Sequence, residues 1–154
     1  MERKEVIAQL GKYFKIQELV CKHTYDRFFG MAWQFLDTEL LETILVLRTK
    51  IINKPMNVND WHLGGVYDER GLRCNICDIV KDNTNKNRAY LSAHCNGAGI
   101  DFTVVGEESK NIRDLIKKNA ALLPYTIRLE KDVAWVHVDI YDDLSGNKVS
   151  EFNA

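Results

Sequence analysis

The order of the secondary-structure patterns predicts an α+β fold organised as one domain over residues 1–154. Helical patterns dominate the first third of the chain, strand patterns cluster in the last third, and one helical pattern separates those strands. A repeating βαβ fold would alternate the two kinds of element throughout. A length of 154 residues suits one domain and is enough to bury a core without disulfides.

The N-terminal third predicts short helical turns, interrupted by glycines, and then one long helix. Leucine and isoleucine recur at helical spacing between residues 40 and 52, Asp37 or Thr38 can cap the helix, and Pro55 stops it.

Six further elements follow from the periodicity of apolar residues. They are strands at 56–59, 99–105, 125–129 and 133–140, and helices at 73–80 and 107–119. A tight turn at Lys131 and Asp132 joins the last two strands, which we expect to form a hairpin. The expected architecture is a small antiparallel sheet with helices packed on one side.

Composition and charge argue against several classes of partner. Hydrophobic residues make up 45% of the chain and charged residues 28%, as in ordinary soluble proteins, and the net charge is −1. This charge gives no electrostatic reason to expect nucleic acid or an anionic membrane as a partner. No run approaches the ~20 apolar residues of a membrane span. No secretory signal follows Met1, so we expect synthesis in the cytoplasm without a signal peptide.

The four cysteines are unevenly spaced, unlike the framework of a small disulfide-rich domain. Cys74 and Cys77 form a C-x-x-C motif, but a structural zinc site usually needs a second such pair. We therefore expect Cys21, Cys74, Cys77 and Cys95 to be free thiols. A redox role for the motif is not favoured, because nothing beside it resembles a thioredoxin-like βαβ unit.

Two short stretches carry the residues that predict chemistry. The first runs from Ser92 to Asp101 and reads S-A-H-C-N-G-A-G-I-D, with His94 in a loop and Asp101 on the following strand. Gly97 and Gly99 allow close backbone turns between them, so that one imidazole and one carboxylate can reach the same ion.

The second stretch runs from Trp135 to Asp139 and reads W-V-H-V-D. Side chains alternate along a strand, so His137 shares a face with Trp135 and Asp139. Two histidines and one carboxylate with an open fourth position form the catalytic type of zinc site. Asp139 either orients a ligand or is a charge at the strand end. A single histidine is more often a hydrogen-bonded core residue, and the joint pattern of His94, Asp101 and His137 is what favours metal.

Both stretches resemble one family. The first resembles the S-x-H-x-x-G-x-A-x-D signature of the zinc D-Ala-D-Ala carboxypeptidases and L-alanyl-D-glutamate endopeptidases, which have the hedgehog/DD-peptidase fold and include phage endolysins. The second resembles the strand that carries their third metal ligand. Gly99 stands where the family has alanine. Similarity to the phage-type branch continues in F-K-I-Q-E-L-V-C at 14–21 and in R-G-L-R at 70–73.

The resemblance implies a role for each residue. His94, Asp101 and His137 would bind Zn²⁺, which would activate a water and polarise the scissile carbonyl. Arg73 would hold a substrate carboxylate, with Arg70 as the second candidate for this role. The alternative role for either arginine is a surface salt bridge. Ser92 could hydrogen-bond the substrate peptide.

The sequence departs from the family at the general base. The acid that usually lies three residues before the last ligand is replaced by Ala134, which cannot transfer a proton. Asp132 is the preferred substitute, and the alternative is that it is simply a turn residue. Glu130 lies close in sequence, and His62, in a glycine-flanked loop, is a further candidate.

This gap leaves two hypotheses. The first is a zinc metallopeptidase that cleaves peptidoglycan stem peptides, as a phage endolysin or virion-associated lysin acting at the cell wall after release or within a virion. The second is a non-catalytic zinc-binding protein that keeps the fold and the metal to bind a partner, such as another protein of the phage particle.

Overall fold

The computed structural model describes residues 1–84 and 87–153, and within them the predicted α+β class is confirmed. The helices are α1 (Arg3–Leu10), α2 (Ile16–Leu19), α3 (Lys22–Phe28), α4 (Thr38–Val46), α5 (Asp78–Thr84) and α6 (Ser109–Lys118). The strands are β1 (Met56–Asn57), β2 (Gly99–Val104), β3 (Ile127–Glu130), β4 (Val136–Asp139) and β5 (Val149–Phe152). Shorter helical turns lie at Phe29–Phe35, Leu47–Ile51, Trp61–Leu63, Ala93–Asn96 and Ala120–Leu122.

The strands form one sheet in the order β1-β2-β4-β3-β5. The predicted hairpin is confirmed, because β3 and β4 pair antiparallel with Arg128 opposite Asp139. The expectation of a purely antiparallel sheet is wrong at one edge, where β5 pairs parallel to β3 with Ile127 level with Val149. The sequence of β5 reads V-S-E-F, with apolar residues only at its two ends, so no alternation of apolar and polar residues marks it as a strand.

Alternation along the strands gives the sheet two different faces. One face is apolar and joins the helices in the main core through Ile100, Phe102, Leu129, Val136 and Val138. The opposite face is polar and carries Asp101, Arg128, Glu130, His137 and Asp139. Because all four residues of β4 are buried, the polar side chains on this strand must find partners within the protein.

The helix boundaries follow local chemistry. Asp37 caps α4, since its Oδ1 accepts a hydrogen bond of 2.7 Å from the backbone N of Glu39. The helix predicted at 107–119 is α6. The helix predicted at 73–80 begins only at Asp78, because Cys74 to Cys77 form a turn in which the Cys77 N–H donates to the Cys74 carbonyl.

Among residues 1–84 and 87–153, none of the helices combines the length and the hydrophobicity that crossing a membrane requires.

Candidate functional site

Neighbouring strands bring Asp101 and His137 together. Asp101 on β2 lies directly opposite His137 on β4, and both side chains are on the polar face of the sheet. Their exposed fractions are 7% and 6%. The Nδ1 atom of His137 is 2.7 Å from Oδ1 of Asp101. Strand register, rather than sequence proximity, therefore creates the pair.

His94 reaches the same carboxylate from a helical turn that precedes β2. Ser92 caps this turn by accepting a hydrogen bond from the His94 N–H, at 3.3 Å. Nδ1 of His94 lies 2.9 Å from the carbonyl oxygen of Gly71. Because a carbonyl can only accept, Nδ1 carries a proton, and Nε2 is the ring nitrogen that faces the carboxylate. That Nε2 is 3.4 Å from Oδ2 of Asp101.

Asp139 orients His137 from the other side of the ring. Nε2 of His137 is 2.9 Å from Oδ2 of Asp139, and the guanidinium of Arg128 donates to both oxygens of that carboxylate at 2.9 Å. Asp139 is therefore placed to orient the His137 ring, and it is not simply a charge at the strand end.

The carboxylates of Asp101 and Asp139 stabilise a proton on the His137 ring. Burial lowers the pKa of His137, but the hydrogen bonds to Asp101 and Asp139 outweigh it and raise the pKa to about 9. Burial raises the pKa of Asp101, and the hydrogen bonds from the two histidines reverse this and hold that pKa well below its ordinary value. The site therefore favours a positive charge at its centre, as a proton or as a metal ion.

The donor set fits a divalent metal. One atom from each of His94, Asp101 and His137 can be chosen so that all three lie within 4.8 Å of one another. Two imidazoles and one carboxylate suit zinc, and each histidine is held through its second nitrogen by a carbonyl or a carboxylate. The structure thus brings the three predicted ligands together, and metal binding by them stays a prediction.

The three residues lie in the wall of a cavity of about 430 Å³. Its polar and aromatic lining includes Arg73, Tyr90, Ser92, Arg128, Glu130 and Trp135, and its apolar lining includes Ile79, Leu91 and Phe152. The cavity therefore combines apolar and aromatic walls with a few charged groups beside the three candidate ligands, which is the usual composition of a small-molecule site.

The structure places the predicted substrate residues at this cavity with partners of their own. Nη2 of Arg73 is 3.3 Å from Oδ2 of Asp101, its Nη1 is 3.2 Å from the Tyr90 hydroxyl, and its Nε donates to the Glu69 carbonyl at 2.6 Å. This is a largely buried ion pair rather than the surface salt bridge considered above. Arg70 stacks over the Tyr67 ring at 3.5 Å and lines a neighbouring pocket.

The preferred general base does not reach the cavity. Asp132 lies in the turn between β3 and β4 with a φ of 62°, is exposed, and is not among the residues that line the cavity. His62 is also outside that lining. Glu130 does line it, and the register of β3 against β4 places this residue level with His137. The alternation of Arg128 and Glu130 along β3 was the sequence signal for this placement.

A second cluster was missed by the sequence prediction. Cys21, His23, Cys74 and Cys77 each offer an atom within 4.8 Å of the others, so they could hold a metal ion such as zinc. The sulfurs of Cys74 and Cys77 are 3.8 Å apart. Nδ1 of His23 lies 3.7 Å from the Cys74 sulfur and 3.8 Å from the Cys77 sulfur.

No disulfide forms among the four cysteines, as expected. The inference that Cys74 and Cys77 lack a second pair of candidate ligands is wrong, because Cys21 and His23 lie close enough to provide one. The signal in the sequence was a C-x-H motif about 50 residues upstream of the C-x-x-C, a separation that hides the relation.

Comparison of the chain with known proteins gives no further identification. No protein-family profile, no curated protein and no solved structure matches it.

Proposed function

We propose that this protein is a zinc-dependent peptidase that cleaves peptidoglycan stem peptides, with the metal held by His94, Asp101 and His137. One observation carries the proposal. Two buried histidines present Nε2 and Nδ1 to the same carboxylate in the wall of a cavity, and each ring is fixed through its other nitrogen. A site in which three protein ligands face an open cavity is of the catalytic type.

The resemblance of residues 92–101 and 135–139 to the D-Ala-D-Ala carboxypeptidase and endopeptidase signatures supports the choice of substrate. Stem peptides carry free carboxylates, and Arg73 presents a guanidinium at the cavity that can contact one of them. Within this proposal the protein is a phage endolysin or a virion-associated lysin. Ser92 would contribute a hydroxyl to the bound peptide, since it lines the same cavity.

Glu130 is the group that we assign as general base. When bound, zinc would supply Lewis-acid activation of the scissile carbonyl and of the attacking water. The reaction also needs a group that takes a proton from that water and gives it to the leaving amine. Glu130 is half-buried, lines the cavity and is level with His137 on the adjacent strand. Ala134 has no group that can transfer a proton, and Asp132 lies outside the cavity lining. Asp139 is engaged by Arg128 and His137, so it holds the ring rather than moving the proton.

Zinc content combined with a cell-wall assay tests the proposal. We expect zinc to copurify with the protein, and we expect purified peptidoglycan to release new amino groups in its presence. A chelator should abolish this release and added zinc should restore it, because the metal activates both reactants. Metal-loaded protein that cleaves no stem peptide of any cross-linking type would contradict the proposal.

The variant Glu130→Gln tests the assigned base. We expect kcat to fall by about 10²- to 10⁴-fold, the range typical of general acid-base catalysis, while zinc content stays the same. Asp132→Asn is the matched control, since this carboxylate lies two residues away but outside the cavity, and it should keep full activity. If the two variants exchange these outcomes, Asp132 is the base and our assignment is wrong.

The second hypothesis, a non-catalytic zinc-binding protein, is favoured by the ion pair between Arg73 and Asp101. This pair occupies the guanidinium that would otherwise be free for substrate. The peptidoglycan assay separates the two hypotheses, because a binding protein would hold zinc and cleave nothing.

A further inference from the structure

The cluster of Cys21, His23, Cys74 and Cys77 lies apart from the cavity and joins two distant segments of the chain. Cys21 directly precedes α3, and His23 is in the first turn of that helix. Cys74 and Cys77 belong to the turn that precedes α5. Nothing in the proposed peptidase chemistry uses these four side chains.

The separations among the donor atoms of His23, Cys74 and Cys77 are close to those of a tetrahedral zinc site, and the Cys21 sulfur lies within 4.8 Å of all three. With zinc bonds of about 2.3 Å to sulfur and about 2.0–2.1 Å to nitrogen, tetrahedral geometry places two sulfurs about 3.8 Å apart and a sulfur and a nitrogen about 3.5–3.6 Å apart. The observed distances are 3.8 Å between the Cys74 and Cys77 sulfurs and 3.7 and 3.8 Å from these sulfurs to Nδ1 of His23. A disulfide would need a sulfur separation of about 2.05 Å.

The surroundings of the cluster indicate that a metal there would be structural. Three thiols and one imidazole complete a four-coordinate shell and leave no position for a substrate. Cys21 and Cys77 are fully buried, and the Thr24 hydroxyl lies 3.1 Å from Sγ of Cys21, where it can donate to a thiolate. The apolar contacts in this region form a small cluster separate from the main core. This corner therefore has little hydrophobic burial to hold it together.

The same two segments are already paired through their backbones. The Cys21 N–H donates to the Leu72 carbonyl at 3.0 Å, and the Leu72 N–H donates to the Leu19 carbonyl at 2.9 Å. The residues on either side of Leu72 contact two of the candidate ligands at the cavity. The Gly71 carbonyl accepts a hydrogen bond from His94, and the Arg73 guanidinium contacts Asp101.

We propose that Cys21, His23, Cys74 and Cys77 bind one structural zinc ion that fastens the N-terminal segment to the loop carrying Gly71 and Arg73. The proposal does not rest on the proposed peptidase activity, because none of these four residues is one of the three candidate ligands at the cavity. The zinc ion would hold in place the loop whose Gly71 carbonyl orients His94.

Cobalt substitution of the full chain, purified under reducing conditions, tests this site directly. Coordination by thiolates gives Co²⁺ a sulfur-to-metal charge-transfer band in the near ultraviolet, which nitrogen and oxygen ligands do not give. We expect this band in the wild type and in Asp101→Asn. We expect it to be lost in Cys74→Ser and weakened in His23→Ala, whose exposed side chain can be removed with little effect on packing.

Cys95→Ser is the matched control, since Cys95 lies near the cluster but is not one of its four residues. It should keep the band and the zinc content, whereas Cys74→Ser should lose one zinc ion per chain and melt on the order of 10 °C lower. A cobalt-loaded wild type with no charge-transfer band would overturn the proposal, as would equal zinc loss in Cys74→Ser and Cys95→Ser. Because Asp101→Asn keeps the band, failure of this site and failure of the peptidase site give different results.

Discussion

Replacement of Asp101 by asparagine is expected to abolish metal binding at the cavity. Under the proposed function it should lower peptidoglycan hydrolysis by about a thousandfold or more, since the metal would contribute several kcal/mol to the transition state. Asparagine has nearly the same shape but no negative charge, and Asp101 is the anionic member of the three candidate ligands. Its two oxygens face Nδ1 of His137 and Nε2 of His94. Elemental analysis should find one zinc ion fewer per chain than in the wild type.

The control for this variant is Asp114→Asn on the exposed surface of α6. Asp114 pairs with Lys110 and Lys117 on the surface, where ion pairs contribute little to stability. We expect this variant to keep its zinc and its activity. Circular dichroism should confirm that Asp101→Asn is folded, because the change also deprives Arg73 of its carboxylate partner. Full zinc content together with full activity in Asp101→Asn would refute the assignment of this residue as a ligand.

Gly97→Ala is expected to cause a large loss of stability, on the order of 4 kcal/mol, which is near the upper end for a single substitution. Gly97 has a φ of 65°, a conformation that costs a residue with a side chain roughly 1–2 kcal/mol. A Cβ atom built there would lie 2.0 Å from the carbonyl oxygen of Phe35 and 3.0 Å from Cα of Leu36. Both are backbone atoms, so the clash cannot be relieved by a side-chain rotation. Urea denaturation measures the loss.

Gly106→Ala separates the two causes. Gly106 has a φ of 79°, but a Cβ there would meet no atom within 4 Å. We expect this variant to lose only the conformational part, roughly 1–2 kcal/mol. If both variants are destabilised equally, then the contact with Phe35 contributes nothing. Because Gly97 follows the turn that holds His94, the first variant should also bind zinc more weakly at the cavity.

Several features of the fold and the site could be predicted from the sequence, because they depend on local periodicity or on contacts between near neighbours. Alternation along residues 133–140 correctly placed His137 and Asp139 on one face. Asp37 was a predicted cap and caps α4. The hairpin of β3 and β4 followed from two alternating runs joined by a tight turn.

Asp132 was preferred to Glu130 as the candidate base because the sequence could not show where β3 ends. The strand continues to Glu130, so this residue keeps the alternation of Arg128 and points to the polar face. Asp132 lies in the turn with a positive φ and leaves that face. A difference of two residues at a strand end thus decides which carboxylate reaches the cavity.

The sequence by itself determined the class of the fold, the faces of the central strands and the three residues that we propose as catalytic metal ligands. The tertiary structure alone decided that Arg73 pairs with Asp101 and that β5 joins the sheet parallel to β3. It also decided that Cys21 and His23 lie beside Cys74 and Cys77, close enough for the four side chains to hold one metal ion. These relations join segments separated by about 20 to 50 residues, and periodicity carries no information about which distant segments meet.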